Sequence, residues 1–168
     1  MKRIARFEKV SPEQFEKDFL DTFGPEREAS VAYGQVSIPK RATAGSAGYD
    51  FITPVSIELA PGESVKVPTG IRAAMEEGWV LQIYPRSGLG FKYRLQLNNT
   101  VGIVDSDYYY SDNEGHIFVK LTNDSREGKT LRLEAGSGFA QGIFLEFGIT
   151  EEDAVEEIRN GGFGSTGV

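Results

Sequence analysis

The sequence contains no cysteine, a single histidine (His116) and no apolar run long enough to span a bilayer. Without cysteine there can be no disulfide, no thiolate metal site and no cysteine nucleophile, and a reducing compartment suits the chain. One histidine leaves little room for a zinc centre or a Ser-His-Asp triad. The opening residues MKRIARFEKV are basic, but the apolar stretch of a secretory signal does not follow. A soluble, cytoplasmic protein without membrane contact is expected. Positive charge is scarce too: 18 Lys and Arg against 25 Asp and Glu give a formal net charge of −7. That balance argues against non-specific nucleic-acid binding, yet leaves scope for a small anion held by a few local arginines. Neither G-x-S-x-G nor G-x-x-x-x-G-K-[ST] occurs, so the serine-hydrolase elbow and the P-loop are missing.

Glycine, by contrast, is abundant. Twenty in 168 residues is about 12%, against a usual share of about 7%, and implies many turns between short strands of one domain. The one segment with helical periodicity is SPEQFEKDFLDTF. There Ser11 is the expected N-cap, Pro12 the first helical residue and Gln14 the partner that completes a capping box. Phe15, Phe19 and Phe23 form one apolar stripe, and Gly24-Pro25 ends the helix. The stripe either docks on the domain or faces a protein partner. From Gln35 the period becomes two. VSIEL aligns Val55, Ile57 and Leu59, SVKV aligns Val65 and Val67, and Pro61-Gly62 turns between them. WVLQIY, HIFVKL, TLRL and GIFLEF follow at strand length. The pattern predicts an all-β sandwich or barrel-like domain over residues 35–158, a helical arm over 1–34 and a glycine-rich tail over 159–168.

Polar clusters that interrupt the alternation are the places for chemistry. AGSAGYDF sets Asp50 beside flexible backbone. PRSGLG offers a cation (Arg86), a hydroxyl (Ser87) and an open backbone N–H (Gly88), three donors that an anion would use, although a surface turn also reads this way. NNTVGIVDSDYYY puts Asp105 and Asp107 where strand or hairpin is expected and aspartate is disfavoured. The pair could hold a divalent cation, one carboxylate could be a base, or both could be solvated acids on a β-bulge. Tyr108, Tyr109 and Tyr110 could stack on a sugar or base. GGFGSTGV has glycines and hydroxyls suited to phosphate oxygens, but lacks the helix and acidic residue that a dinucleotide fingerprint requires.

In order, AGSAGYDF, PRSGLG, NNTVGIVDSDY, GFAQGIF and RNGGFGSTG resemble the five motifs of the trimeric dUTPases across Gln35 to Val168, and IPKRATAGSAGYD resembles the approach to the first. The resemblance implies a distorted jelly-roll β subunit and a homotrimer whose three sites each borrow motifs from all chains. It implies Mg²⁺-dependent hydrolysis of dUTP to dUMP and pyrophosphate, which lowers cellular dUTP and supplies dUMP for dTMP synthesis. By the same resemblance Asp105 activates water against the α-phosphorus, and Asp107 is structural. Arg86, Ser87 and Gly88 hold phosphates, with Ser87 donating to the bridging oxygen of the leaving group. Asp50 and Gln141 act on Mg²⁺ through its waters, and Gln141 also supports the phosphates. Asn99 and the backbone of Gly102, Ile103 and Val104 pair with uracil, while Tyr108 packs on the deoxyribose and excludes a 2′-hydroxyl. Arg159, Ser165 and Thr166 bind the outer phosphates, and Phe163 and Gly164 cover the base in a lid spanning 159–168.

Three departures stand out. YYSDNE lengthens the third motif before Gly115, so the stacking ring is Tyr108 or its neighbour Tyr109 or Tyr110. Gly138 replaces the usual arginine of the fourth motif. Arg159 lies one residue nearer Phe163 than usual. Two alternatives share the fold. A dCTP deaminase would need a glutamate where Lys120 stands, and a dUTPase-fold regulator would use the extra helix and long hairpin to capture a protein.

Overall fold

The computed structural model describes residues 1–157 and Arg159. Residues 1–35 contribute β1 (Ala5–Lys9), α1 (Pro12–Phe23) and α2 (Ala29–Gln35), one strand and one helix more than periodicity predicts there. Then come β2 (Lys40–Arg41), β3 (Tyr49–Ile52), β4 (Ile57–Leu59), β5 (Ser64–Pro68), β6 (Ile71–Met75) and β7 (Trp79–Pro85). A short helix, α3 (Ser87–Tyr93), separates these from β8 (Leu95–Leu97) and β9 (Gly102–Val104). A 3₁₀ turn (Ser106–Tyr110) leads to β10 (Phe118–Asn123), β11 (Leu131–Leu133) and β12 (Gly138–Glu146).

All the strand pairs are antiparallel, and the main sheet runs β2-β3-β12-β7-β9. A second sheet is ordered β5-β10-β8, with the ribbons β11-β4 and β1-β6 completing an all-β, jelly-roll-like fold. Alternation decides the faces. Leu81 and Ile83 of β7 and Val119 and Leu121 of β10 are buried, while Gln82, Tyr84, Lys120 and Thr122 point away. Asn123 is one of the polar residues buried in this interior. Its amide donates to the carbonyls of Leu59 and Lys129 at 2.8 Å, and its carbonyl accepts from the Ser125 N–H at 3.0 Å. A buried amide is tolerated because it is so fully bonded.

The N-terminal segment is built into this body. Phe7 of β1 packs edge-on against Tyr49 and Phe51, with ring centroids 5.3 and 5.7 Å away. Phe15 and Phe19 of α1 are buried in the domain core, so the stripe is spent on the chain's own interior rather than offered to a partner. At Ser11 the expected capping box is only half formed. Ser11 Oγ accepts from the Gln14 N–H at 3.1 Å, but the Gln14 side chain turns to Asp18. The reciprocal bond comes from Glu114, distant in sequence, which accepts from Ser11 N at 2.8 Å and from Ser11 Oγ at 2.6 Å. Gly70, at the β5–β6 corner, has φ +73°, and a Cβ there would lie 2.5 Å from Val36 Cγ2. Only glycine lets the residue that follows α2 sit this close.

Two carboxylates that fasten α1 carry lowered pKa values. Burial pushes Asp18 up, but hydrogen bonds from His116 and Gln14 outweigh it. Burial likewise opposes, and the Ser11 hydroxyl and N–H reverse, the shift of Glu114. Groups depressed in the folded state stabilise it fully above their unfolded values, and that contribution is lost as pH falls through the folded ones. The protection of amides 11–23, taken relative to the intrinsic exchange rate at each pH, is therefore expected to fall below about pH 4, measured against the amides of β7 as an internal standard.

Candidate active site

The charged site residues fall into two clusters, one at each end of β7. At its C-terminal end, Arg86 leaves the strand in extended conformation and Ser87 opens α3. The PRSGLG stretch is thus the start of a helix rather than a plain turn, and the N–H groups of Ser87 and Gly88 belong to its first turn, where intrahelical acceptors are lacking. Arg86 Nε lies 3.2 Å from Asp50 Oδ1, with both side chains partly exposed. Asp50 on β3 stands directly opposite Gln141 on β12, and Gln141 Nε2 donates to the Pro85 carbonyl at 3.1 Å. Clefts of about 550 and 480 Å³ flank Arg86 and Ser87, the first also lined by Tyr84 and Gln141, the second by Gly88 and Gly138. This end gathers a guanidinium, a hydroxyl and open N–H groups, which suit phosphate oxygens.

Gly138, the departure in the fourth motif, acquires a physical reason here. A Cβ at 138 would lie 2.6 Å from Arg86 Nη1 and 3.2 Å from its Cδ. The missing side chain is the space through which Arg86 reaches Asp50.

β9 runs antiparallel to β7, pairing Gly102 with Ile83 and Val104 with Leu81, so its start lies towards Pro85 and its last residue leads Asp105 to the N-terminal end of β7. Asn99 lies on the exposed turn before β9, and its carbonyl accepts from Val101 N at 2.7 Å. Val104 is buried and Ile103 exposed. Asp105 is in neither strand nor hairpin. It caps the 3₁₀ turn, with φ −78° and ψ 159°, and its side chain is half-exposed. Asp107 lies within that turn, so the expected placement of both acids in a strand or hairpin is corrected. The three tyrosines also part ways instead of forming one face. Tyr108 is buried, and its hydroxyl donates to the His116 carbonyl at 2.7 Å. Tyr109 donates to Glu8 of β1 at 2.7 Å and lies 3.6 Å beneath the Arg72 guanidinium. Tyr110 is exposed. Burial pushes the Tyr108 phenol up to about 12, so it stays protonated through the physiological range.

Arg159 joins this second cluster. Its Nη2 donates to Asp105 Oδ2 at 2.5 Å and its Nε to Asp107 Oδ1 at 3.0 Å, with the guanidinium 6.0 Å from the Tyr108 ring centroid. In this chain it therefore pairs with carboxylates, not with the residues at the phosphate-type end. Phe163, Gly164, Ser165 and Thr166 lie outside the described residues. Lys120 projects from β10 opposite Lys66, and a lysine cannot take the acid–base role of a deaminase glutamate. Sequence reasoning missed Asp18, Glu114 and the structural use of His116. A lone histidine opening the apolar run HIFVKL was the one available signal.

Among the described residues, no three His, Asp or Glu side chains converge on a metal position. Asp50 and Gln141 supply one carboxylate and one amide across a single register pair. That donor set fits a hard ion that takes most of its oxygens from substrate phosphates and water.

The dUTPase family model matches residues 34–168. The deoxyuridine 5′-triphosphate nucleotidohydrolase of Lactococcus lactis subsp. lactis (strain IL1403) is 44% identical over 135 residues, 79% of this chain and 89% of that protein. The crystal structure of dUTPase from Streptococcus mutans superposes with a TM-score of 0.64 at 35% identity, covering 87% of this chain and 98% of its own. A Staphylococcus bacteriophage 80alpha dUTPase with dUPNHPP superposes at 0.65 over 99% of this chain and 100% of its own. At 21% identity that last likeness is one of fold alone. Motif order, a family match that takes in both ends of β7 and relatives of this identity lead to one assignment: the chain belongs to the dUTPase family, hydrolases of the dUTP anhydride.

Proposed function

We propose that this hydrolase completes each active site between copies of the chain, as a homotrimer, and cleaves dUTP to dUMP and pyrophosphate by water attack on the α-phosphorus. The position of the two clusters along β7 carries this reading. Val104 faces Leu81, so Asp105 follows beside Val80, whereas Arg86 and Ser87 come after Pro85 at the far end. Six strand residues separate them, roughly 20 Å. A general base and a donor to the leaving oxygen must both work around one phosphorus, each within about 3 Å of its target atom. One chain cannot bring them together. A second copy can.

In such a site Asp105 takes a proton from water as the oxygen bonds to the α-phosphorus. The bond from that phosphorus to the bridging oxygen breaks, and pyrophosphate leaves. Ser87, the N–H groups of Ser87 and Gly88, and Arg86 stabilise charge growing on the leaving group. Mg²⁺, when bound, would draw the phosphate oxygens together and offset their charge, with Asp50 and Gln141 holding its waters. Arg159 gains a stronger bidentate partner in a triphosphate than in two half-exposed carboxylates, and its transfer frees Asp105.

Asn99 and the β9 backbone read uracil, and a cytosine amino group there would leave paired groups unsatisfied, at about 1–3 kcal/mol each. Of the three tyrosines, Tyr108 is the one beside Asp105, and it forms the floor under the deoxyribose. The products place the enzyme before dTMP synthesis, lowering dUTP and supplying dUMP.

Turnover in ¹⁸O-water tests the chemistry. Mass spectrometry is expected to find the label in dUMP, and label in pyrophosphate would place the attack on the β-phosphorus and end this mechanism. Sedimentation of the active protein is expected to return a trimer, and an active monomer would overturn the shared site.

A further inference from the structure

The first 33 residues lie outside the family match, yet hydrogen bonds lead from them to Tyr108. His116 is the junction. Its ring is fully buried, 6.0 Å from Phe15 of α1 and 4.7 Å from Phe118 of β10. The Gly70 N–H donates to its Nε2 at 2.8 Å, so that nitrogen must be unprotonated and the ring proton resides on Nδ1. Nδ1 lies 2.6 Å from Asp18 Oδ2, and the Asp18 side chain is itself largely buried. The imidazole is thereby fixed as one neutral tautomer between the arm and the β5–β6 corner.

The backbone of the same residue faces the other way. The His116 carbonyl accepts from the Tyr108 hydroxyl at 2.7 Å, and Asn113 Nδ2 donates to that hydroxyl at 2.8 Å. Glu114, in the same loop, grips the N-terminus of α1 through Ser11. The lengthened third motif and the N-terminal helix are therefore two halves of one interlock.

We propose that Asp18 is a positioning residue for Tyr108, acting through His116, so that the N-terminal helix sets the sugar side of the active site. The proposal rests on the reading of Tyr108 as the floor under the deoxyribose. Asp18 touches no substrate. Its carboxylate holds the imidazole, the imidazole holds residue 116, and the carbonyl of that residue fixes the height and tilt of the phenol. Without the acceptor, Nδ1–H is left buried and unpaired. The ring then has reason to rotate, and the 113–116 loop moves with it.

The test compares Asp18→Leu, which removes the acceptor, with Asp18→Asn, whose amide oxygen retains it. Asp18→Leu is expected to raise KM for dUTP roughly tenfold with little change in kcat, and to narrow the preference for dUTP over UTP. Asp18→Asn is expected to restore both. Equal loss in the two variants, or loss confined to kcat, would overturn the proposal. Tyr108→Ala separates this failure from that of the underlying reading. An unchanged preference for dUTP over UTP in Tyr108→Ala refutes the floor, whereas a narrowed preference there with none in Asp18→Leu refutes only the coupling. Should Asp18→Leu not fold, the wild-type full-length chain decides. Its only histidine gives a single imidazole ¹⁵N pair, expected as the Nδ1–H tautomer and expected to shift when a non-hydrolysable dUTP analogue binds. The same titration of Tyr108→Phe should give a smaller shift. A wild-type resonance indifferent to the analogue would overturn the coupling.

Discussion

Asp105→Asn is expected to leave dUTP binding near its native level and to lower kcat by about 10²- to 10⁴-fold, the range for a lost general base. Asparagine keeps the shape of the cap on the 3₁₀ turn, and its side chain can still accept a hydrogen bond from Arg159. What it cannot do is take the proton of the attacking water. Asp107→Asn is the control, since Asp107 lies two residues further into the turn and shares only the contact with Arg159. Single-turnover kinetics with both variants give the answer. A normal rate for Asp105→Asn with a depressed one for Asp107→Asn would mean that the roles are reversed.

Two inactive chains are expected to make an active enzyme. Ser87→Ala removes the donor at the C-terminal end of β7, and loss of one such donor lowers kcat by about 10²- to 10³-fold. Asp105→Asn disables the other end. If each site takes its phosphate-holding cluster from one subunit and its base from another, random co-assembly pairs intact with intact in about a quarter of the sites. Co-refolded equal mixtures should then recover about that fraction of native activity, a gain of more than ten-fold over either variant. Separately refolded samples mixed afterwards should recover little. Recovery no greater than the mean of the two variants would show that one chain builds a whole site.

The sequence makes part of this architecture plain, and the physics explains which part. Strands with apolar residues at every second position (β4, β5, β7, β10, β11 and β12) declare themselves because alternation is a local property. So does α1, where Ser11, Pro12 and the phenylalanine stripe agree. β1 reads ARFEK and β6 reads IRAAM, charged or alanine-rich stretches with weak strand preference, and each is a strand only because the other lies alongside. α3 reads SGLGFKY, with two glycines and no capping side chain, and its tertiary setting overrides propensity.

The site divides in the same way. Asp50, Arg86, Ser87, Asp105 and Gln141 are legible because five motifs occur in a known order. Their separation along β7 is not, because register is set by pairing across the sheet. Nor are Asp18 and His116, 98 residues apart, whose bond leaves no trace in either neighbourhood. Gly138 is the instructive middle case: the sequence shows a lost arginine, and only the fold shows the volume it vacates for another one.

The pairing of Asp50 with Gln141 also governs how the molecule comes into being. β3 is joined to β12 across about ninety intervening residues, the kind of distant contact that makes folding slow. β12 is inserted between β3 and β7, so until it emerges from the ribosome those two strands present open edges towards the same gap. Such edges are templates for pairing with the wrong chain. The strand that carries Gln141 to the Arg86 end of β7 is thus also the closing strip of the sheet, and a nascent chain cannot assemble that end of the candidate site while its hazardous edges remain open.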